Sequence, residues 1–182
     1  MAKYFMSRSA ARRSDHLRAV LMLGVLILAV TVLQVSFFGR IRIFGAIPDL
    51  TTVTVLAIAF FCGKETGAVT GIAAGFLIEA MGGGTFTLLP LFYLLLCYPI
   101  GHYARAVIPK RFTVYLTMLA IALSAKAALT LLRASLSYAT FSLLSLLWTA
   151  VLPELLLTAV CGIALFLPLR SFCRRLERRR II

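Results

Sequence analysis

GKETGAVTGIAAGFLIEAMGGGT, residues Gly63–Thr85, is the stretch whose reading decides the fold. It is apolar enough for a bilayer, yet it places Gly67, Gly71, Gly75 and then Glu79 four residues apart. At that spacing the four positions climb one helix face. The glycines leave a smooth ridge against which another helix can press its backbone, and the carboxylate stands at the end of that ridge. Gly82, Gly83 and Gly84 then end the helix. The rest of the chain reads as what surrounds it.

Composition agrees with a membrane environment. Of 182 residues, 62% are hydrophobic, and the mean hydropathy is +1.00, whereas soluble domains are roughly 45–50% apolar. The net charge of +13 would suggest nucleic acid in a soluble protein. Here the basic residues gather in tails and loops between apolar runs, where they set orientation and meet anionic lipid; no nucleic-acid partner is expected. The cysteines form no framework, and neither they nor the two isolated histidines have metal-ligand spacing. No metal or cofactor is expected. Nucleophile elbow, H-E-x-x-H and Walker signatures are missing, so the chain does not read as an enzyme.

In chain order, residues 1–16 are a basic cytoplasmic arm, 17–166 a membrane domain of six transmembrane helices, and 167–182 a basic cytoplasmic tail. The expected spans are 17–38, 48–62, 66–81, 88–104, 113–136 and 144–166. The second is short for a bilayer of about 30 Å, which calls for snorkelling flanks or help from neighbouring helices. Pro48 suits the first turn of that span and Asp49 its positive dipole end. The uncharged turn after span three makes spans three and four antiparallel neighbours. Tyr93, Tyr98 and Tyr103 are expected as interfacial anchors of span four. Fifteen of the nineteen Lys and Arg fall on the cytoplasmic side of this topology, three (Arg40, Arg42, Arg133) fall outside, and Lys126 falls within a span. That asymmetry puts both termini in the cytoplasm.

An ionised residue at a helix centre costs on the order of 2.5–3.5 kcal/mol on the insertion scale, so Lys126 in span five and Glu154 in span six should avoid lipid. A direct Lys126–Glu154 pair is geometrically reasonable. Arg133, seven residues on, shares the face of Lys126 and can meet Asp49 or Glu79. Two readings stand beside each other: a polar cavity for a ligand or protons, or buried ion pairs that fix helix register. The glycine ridge likewise either packs within the bundle or receives a helix from another protein. Pro153 before Glu154 is a candidate break or kink in span six.

The order and spacing of particular residues resemble a known family. Leu33-Gln34-Val35-Ser36-Phe37, Phe44-Gly45, Pro48-Asp49-Leu50, the series Gly63, Gly67, Gly71, Gly75 with Phe76, the acidic Glu79, then Gly84, Leu88, Tyr98 and Gly101 are similar to the rod shape-determining protein MreD family. Glu79 stands where aspartate is expected in that family. Spans five and six carry no matching motif. The resemblance implies a non-catalytic membrane protein of the bacterial cell-elongation machinery, in the inner (cytoplasmic) membrane. It further implies binding of the single-span protein MreC, and help in coupling MreB filaments to the glycosyltransferase RodA and its partner transpeptidase in peptidoglycan synthesis. On this reading Pro48, Asp49, Gly67, Gly71, Gly75 and Glu79 form the receptor for a partner helix.

The rival reading is the substrate-binding component of an energy-coupling-factor vitamin transporter, whose fold the MreD family resembles. Trp148, Lys126, Glu154 and the outer loops would then line a vitamin site. Such a site needs several convergent hydrogen-bonding groups, and the outer loops offer few: Arg40, Arg42, Thr85, Thr87, Ser137, Tyr138 and Ser142.

Overall fold

The computed structural model describes residues 2–38, 47–82, 88–106, 111–137 and 147–180. Those residues are almost entirely helical, with no strand among them. Six α-helices follow one another: α1 (Ala2–Leu33), α2 (Leu50–Cys62), α3 (Lys64–Gly82), α4 (Leu88–Ala106), α5 (Phe112–Ser137) and α6 (Leu152–Arg180). A π-helical stretch, Gln34–Phe38, continues α1, and another, Leu147–Val151, leads into α6. Pro153 accounts for the second, since it lacks an N–H and its ring crowds the carbonyl four residues back, which a widened turn relieves.

Three helices are long and apolar enough to cross a membrane, over Arg18–Ser36, Phe112–Leu132 and Leu152–Leu176. α2 and α4 hold shorter apolar segments. The terminal helices are longer than the sequence suggests. α1 begins at Ala2, so the basic arm is its first part, and α6 runs unbroken past Pro168 to Arg180. The tail stays helical because Phe166, Leu169, Cys173 and Leu176 recur at three- and four-residue intervals and are all buried, giving it one packed stripe.

The helix at the centre is α2, not the glycine-bearing α3. All thirteen residues of α2 are buried, which matches a sequence apolar on every side, LTTVTVLAIAFFC. Asp49 caps its start, accepting from the Thr52 N–H at 3.0 Å, so the helix begins at Leu50, two residues after the expected start at Pro48. At its end the Gly63 N–H donates to the Ala59 carbonyl at 3.1 Å. Gly63 has φ 93°, a left-handed conformation open chiefly to glycine, and reverses the chain into α3. α3 packs most extensively on α4, and α2 is shared by α3, α4 and α6. Where α2 meets α5 and α6, Phe60, Phe61, Tyr115 and Phe166 form an aromatic cluster, with Phe60 and Phe61 centroids 5.1 Å apart and Tyr115 and Phe166 5.0 Å apart.

Candidate functional site

The polar groups of the bundle converge on the first turn of α2. Asp49, buried there, receives the Thr52 N–H, the Thr52 hydroxyl and the Lys126 ammonium from α5. Lys126 Nζ also lies 2.7 Å from Glu154 Oε1 in the first turn of α6. The Asp49 N–H donates to Thr158 Oγ1 of α6 at 3.0 Å, and that hydroxyl donates to the Glu154 carbonyl at 2.7 Å. Thr52 Oγ1 stands 2.8 Å from the Tyr93 hydroxyl of α4. Because Thr52 gives its proton to Asp49, it accepts from Tyr93, and the two hydroxyls align toward the carboxylate.

A second clasp is built by Gln34, in the π-helical extension of α1. Its amide N–H donates to the Pro48 carbonyl at 2.9 Å, and its amide oxygen accepts from the Leu50 N–H at 2.7 Å. One side chain thereby fixes both sides of Asp49. The start of α2 is joined to α1, α4, α5 and α6 through side-chain and backbone polar bonds, and its cap leaves few polar groups for lipid to meet.

Electrostatically the cluster holds two carboxylates against one ammonium. Lys126 and Asp49 keep side-chain exposures of 20% and 6%, and Glu154 keeps 31%. Beside them, lined by Lys126, Thr130, Glu154 and Thr158, is a cavity of about 10 Å³, room for a single water. The arrangement ties three helices at one depth, and among the described residues the space beside it is too small for a larger ligand. Arg133 belongs to α5, but its side chain lies outside the described residues.

The glycine face of α3 is filled by the chain itself. A Cβ added at Gly67 would sit 2.5 Å from the Ala59 Cβ of α2, and one at Gly75 would sit 2.6 Å from the Pro90 Cα of α4. At Gly71 the nearest atom is the Tyr93 Cβ at 3.2 Å. The ridge is therefore an internal seam, with no space left for a partner helix. Glu79 also acts locally: its Oε1 accepts from the Leu89 N–H at 2.9 Å, capping α4, and its Oε2 is buried with no partner among the described residues. Pro48, Asp49, Gly67, Gly71, Gly75 and Glu79 thus do not share an outward surface, because close backbone packing turns all three glycines inward.

Tyr93 corrects a second expectation. It is buried at 1% exposure and bonded to Thr52, whereas Tyr98 and Tyr103 are exposed. The site residues that sequence reasoning left out are Thr52, Tyr93 and Thr158, with Gln34 noted only as part of a motif. A threonine three residues after a helix-capping aspartate carries a readable signal, since it can return a hydroxyl to the cap. No comparable local signal marks Thr158.

The family model for rod shape-determining protein MreD matches residues 14–176. The chain belongs to the MreD family. The match covers nearly the whole membrane bundle, including α5 and α6, where no motif was legible. MreD is a family of rod shape-determining membrane proteins and is not known as an enzyme family. No curated protein and no solved structure matches the chain.

Proposed function

We propose that this MreD-family chain is a multi-pass scaffold of the bacterial inner membrane. In this reading it crosses six times with both ends cytoplasmic, binds MreC, and helps couple MreB to peptidoglycan synthesis by RodA and its partner transpeptidase. The observation that carries the reading is how the polar cluster is used. Asp49, Lys126, Glu154 and their hydroxyl neighbours are spent on one another, and the cavity beside them, about 10 Å³, is far below the roughly 300–1,000 Å³ of small-molecule sites. A bundle built this way presents its outer helix faces to other proteins. The vitamin-carrier reading gains no support from it. α2, thirteen residues and about 20 Å long, can serve as a span because its polar start is satisfied by neighbouring helices.

The test is purification in mild detergent from native membranes, with mass spectrometry of the proteins and small molecules recovered. Recovery of MreC with the synthesis enzymes is expected. Recovery of paired ATPase subunits with a stoichiometric vitamin would overturn the proposal.

A further inference from the structure

A crevice of about 260 Å³ opens between α1, α2 and α6. α1 contributes Leu26, Val30 and Leu33, α2 contributes Leu50 and Thr54, and α6 contributes Leu165, Pro168, Leu169 and Phe172. Its one polar side chain, Thr54, gives its hydroxyl to the Leu50 carbonyl at 2.8 Å. Water entering the crevice would find few partners, so hydrocarbon is the better filling.

Height and charge identify the hydrocarbon. The lining runs from Leu26 to Leu33 on α1 and from Leu165 to Phe172 on α6, about 10.5 Å along each helix. Each wall is about a third of a core of about 30 Å, too short a groove for a crossing helix. Below it, the same helix faces turn basic. Arg175 stands one turn beyond Phe172 and seven residues from Pro168, and Arg18 stands eight residues before Leu26, and both are exposed. By helical register, these two arginines continue the two walls of the crevice toward the basic side of the molecule.

We propose that the crevice holds one acyl chain of an anionic glycerophospholipid, whose phosphate is received by Arg18 and Arg175. Guanidinium groups suit a phosphate because their paired donors match its oxygens. The site would join α1 to α6 from the start of α2, beside the Asp49 cluster, toward the basic side of the molecule.

The test uses the purified chain in phosphatidylcholine nanodiscs doped with phosphatidylglycerol, read by native mass spectrometry of the retained lipid. One phosphatidylglycerol per chain is expected. The double variant R18A/R175A should lose on the order of thirtyfold in that retention, from about one charge interaction per arginine. V30W fills the crevice while keeping both arginines and should lose the lipid as well, with the folded fraction followed by thermal unfolding in the same discs. Equal retention of phosphatidylcholine would overturn the proposal. So would loss in R18A/R175A with full retention in a folded V30W, which would mean that basic surface alone attracts the lipid.

Discussion

The two halves of this bundle are held by different forces. In α2–α4 the backbones touch: Gly67 faces Ala59, Gly75 faces Pro90, and Gly101 faces Lys64 at the reversal after α2. α5 and α6 bury a narrow stripe each, Tyr115, Leu119 and Ala122 on one and Phe166, Leu169, Cys173 and Leu176 on the other. Their remaining faces, with Ile121, Leu132, Leu156, Val160 and Leu167, point outward. The ionic cluster ties them to the start of α2, and the Phe60, Phe61, Tyr115 and Phe166 rings hold them at its end. Between helices in lipid, association rests on packing and polar bonds and not on a hydrophobic driving force. Close backbone contact therefore secures one half, while side chains, ionic at the start of α2 and aromatic at its end, secure the other.

The sharpest way to break this contrast is Lys126→Met. It leaves Asp49 and Glu154 facing each other without a cation, a situation that costs about 3–5 kcal/mol when a buried pair loses one member. Thermal unfolding in detergent should show the loss. The triple variant K126M/D49N/E154Q should recover most of it, because no uncompensated charge remains. A single variant as stable as the parent would mean that α5 is held by packing after all. A triple variant no better than the single one would assign the loss to the lysine stem.

This division also explains what was legible in the sequence. Glycines at four-residue spacing announce a close helix contact wherever they occur, so the seam of α3 could be read, though not whether its occupant was internal. Lys126 and Glu154 are conspicuous because ionised residues are rare in apolar runs. Asp49 as a partner of Lys126 was not legible, because the two are 77 positions apart and only the placement of α5 over the start of α2 joins them. Thr158 and Tyr93 were hidden for the same reason, being ordinary residues made important by what they face. The centrality of α2 could be missed because a thirteen-residue stretch with three threonines reads as a weak span, whereas all of it is enclosed.

Within the close-packed half, the comparison predicts a gradient of cost from one residue type. Gly75→Ala drives a methyl group into the Pro90 backbone at 2.6 Å, which α4 must yield to, at about 1–3 kcal/mol as in other overpacked sites. Gly71→Ala meets the Tyr93 Cβ at 3.2 Å and should cost less than Gly75→Ala. Gly24→Ala on α1 meets nothing within 4 Å and should be neutral, or stabilising by up to about 1 kcal/mol through helix propensity. Three equal unfolding temperatures would show that the seam yields freely, and the contrast with α5–α6 would lose its basis.

A loss at the lower end of the Gly75→Ala range is expected at Glu79, where a charged residue does the work of a shape contact. Its Oε1 accepts the Leu89 N–H at 2.9 Å, one of the donors that the first turn of α4 cannot satisfy within the helix. Glu79→Ala leaves that donor without its acceptor and should cost about 1 kcal/mol, as removal of other helix caps does. Glu79→Gln keeps an oxygen at the same reach and should stay close to the parent. If Gln falls as far as Ala, the negative charge itself, acting on the positive end of α4, is what matters at this position. The Glu79 end of the glycine seam would then be secured by electrostatics, like the start of α2, and the boundary between the two halves would move to include it.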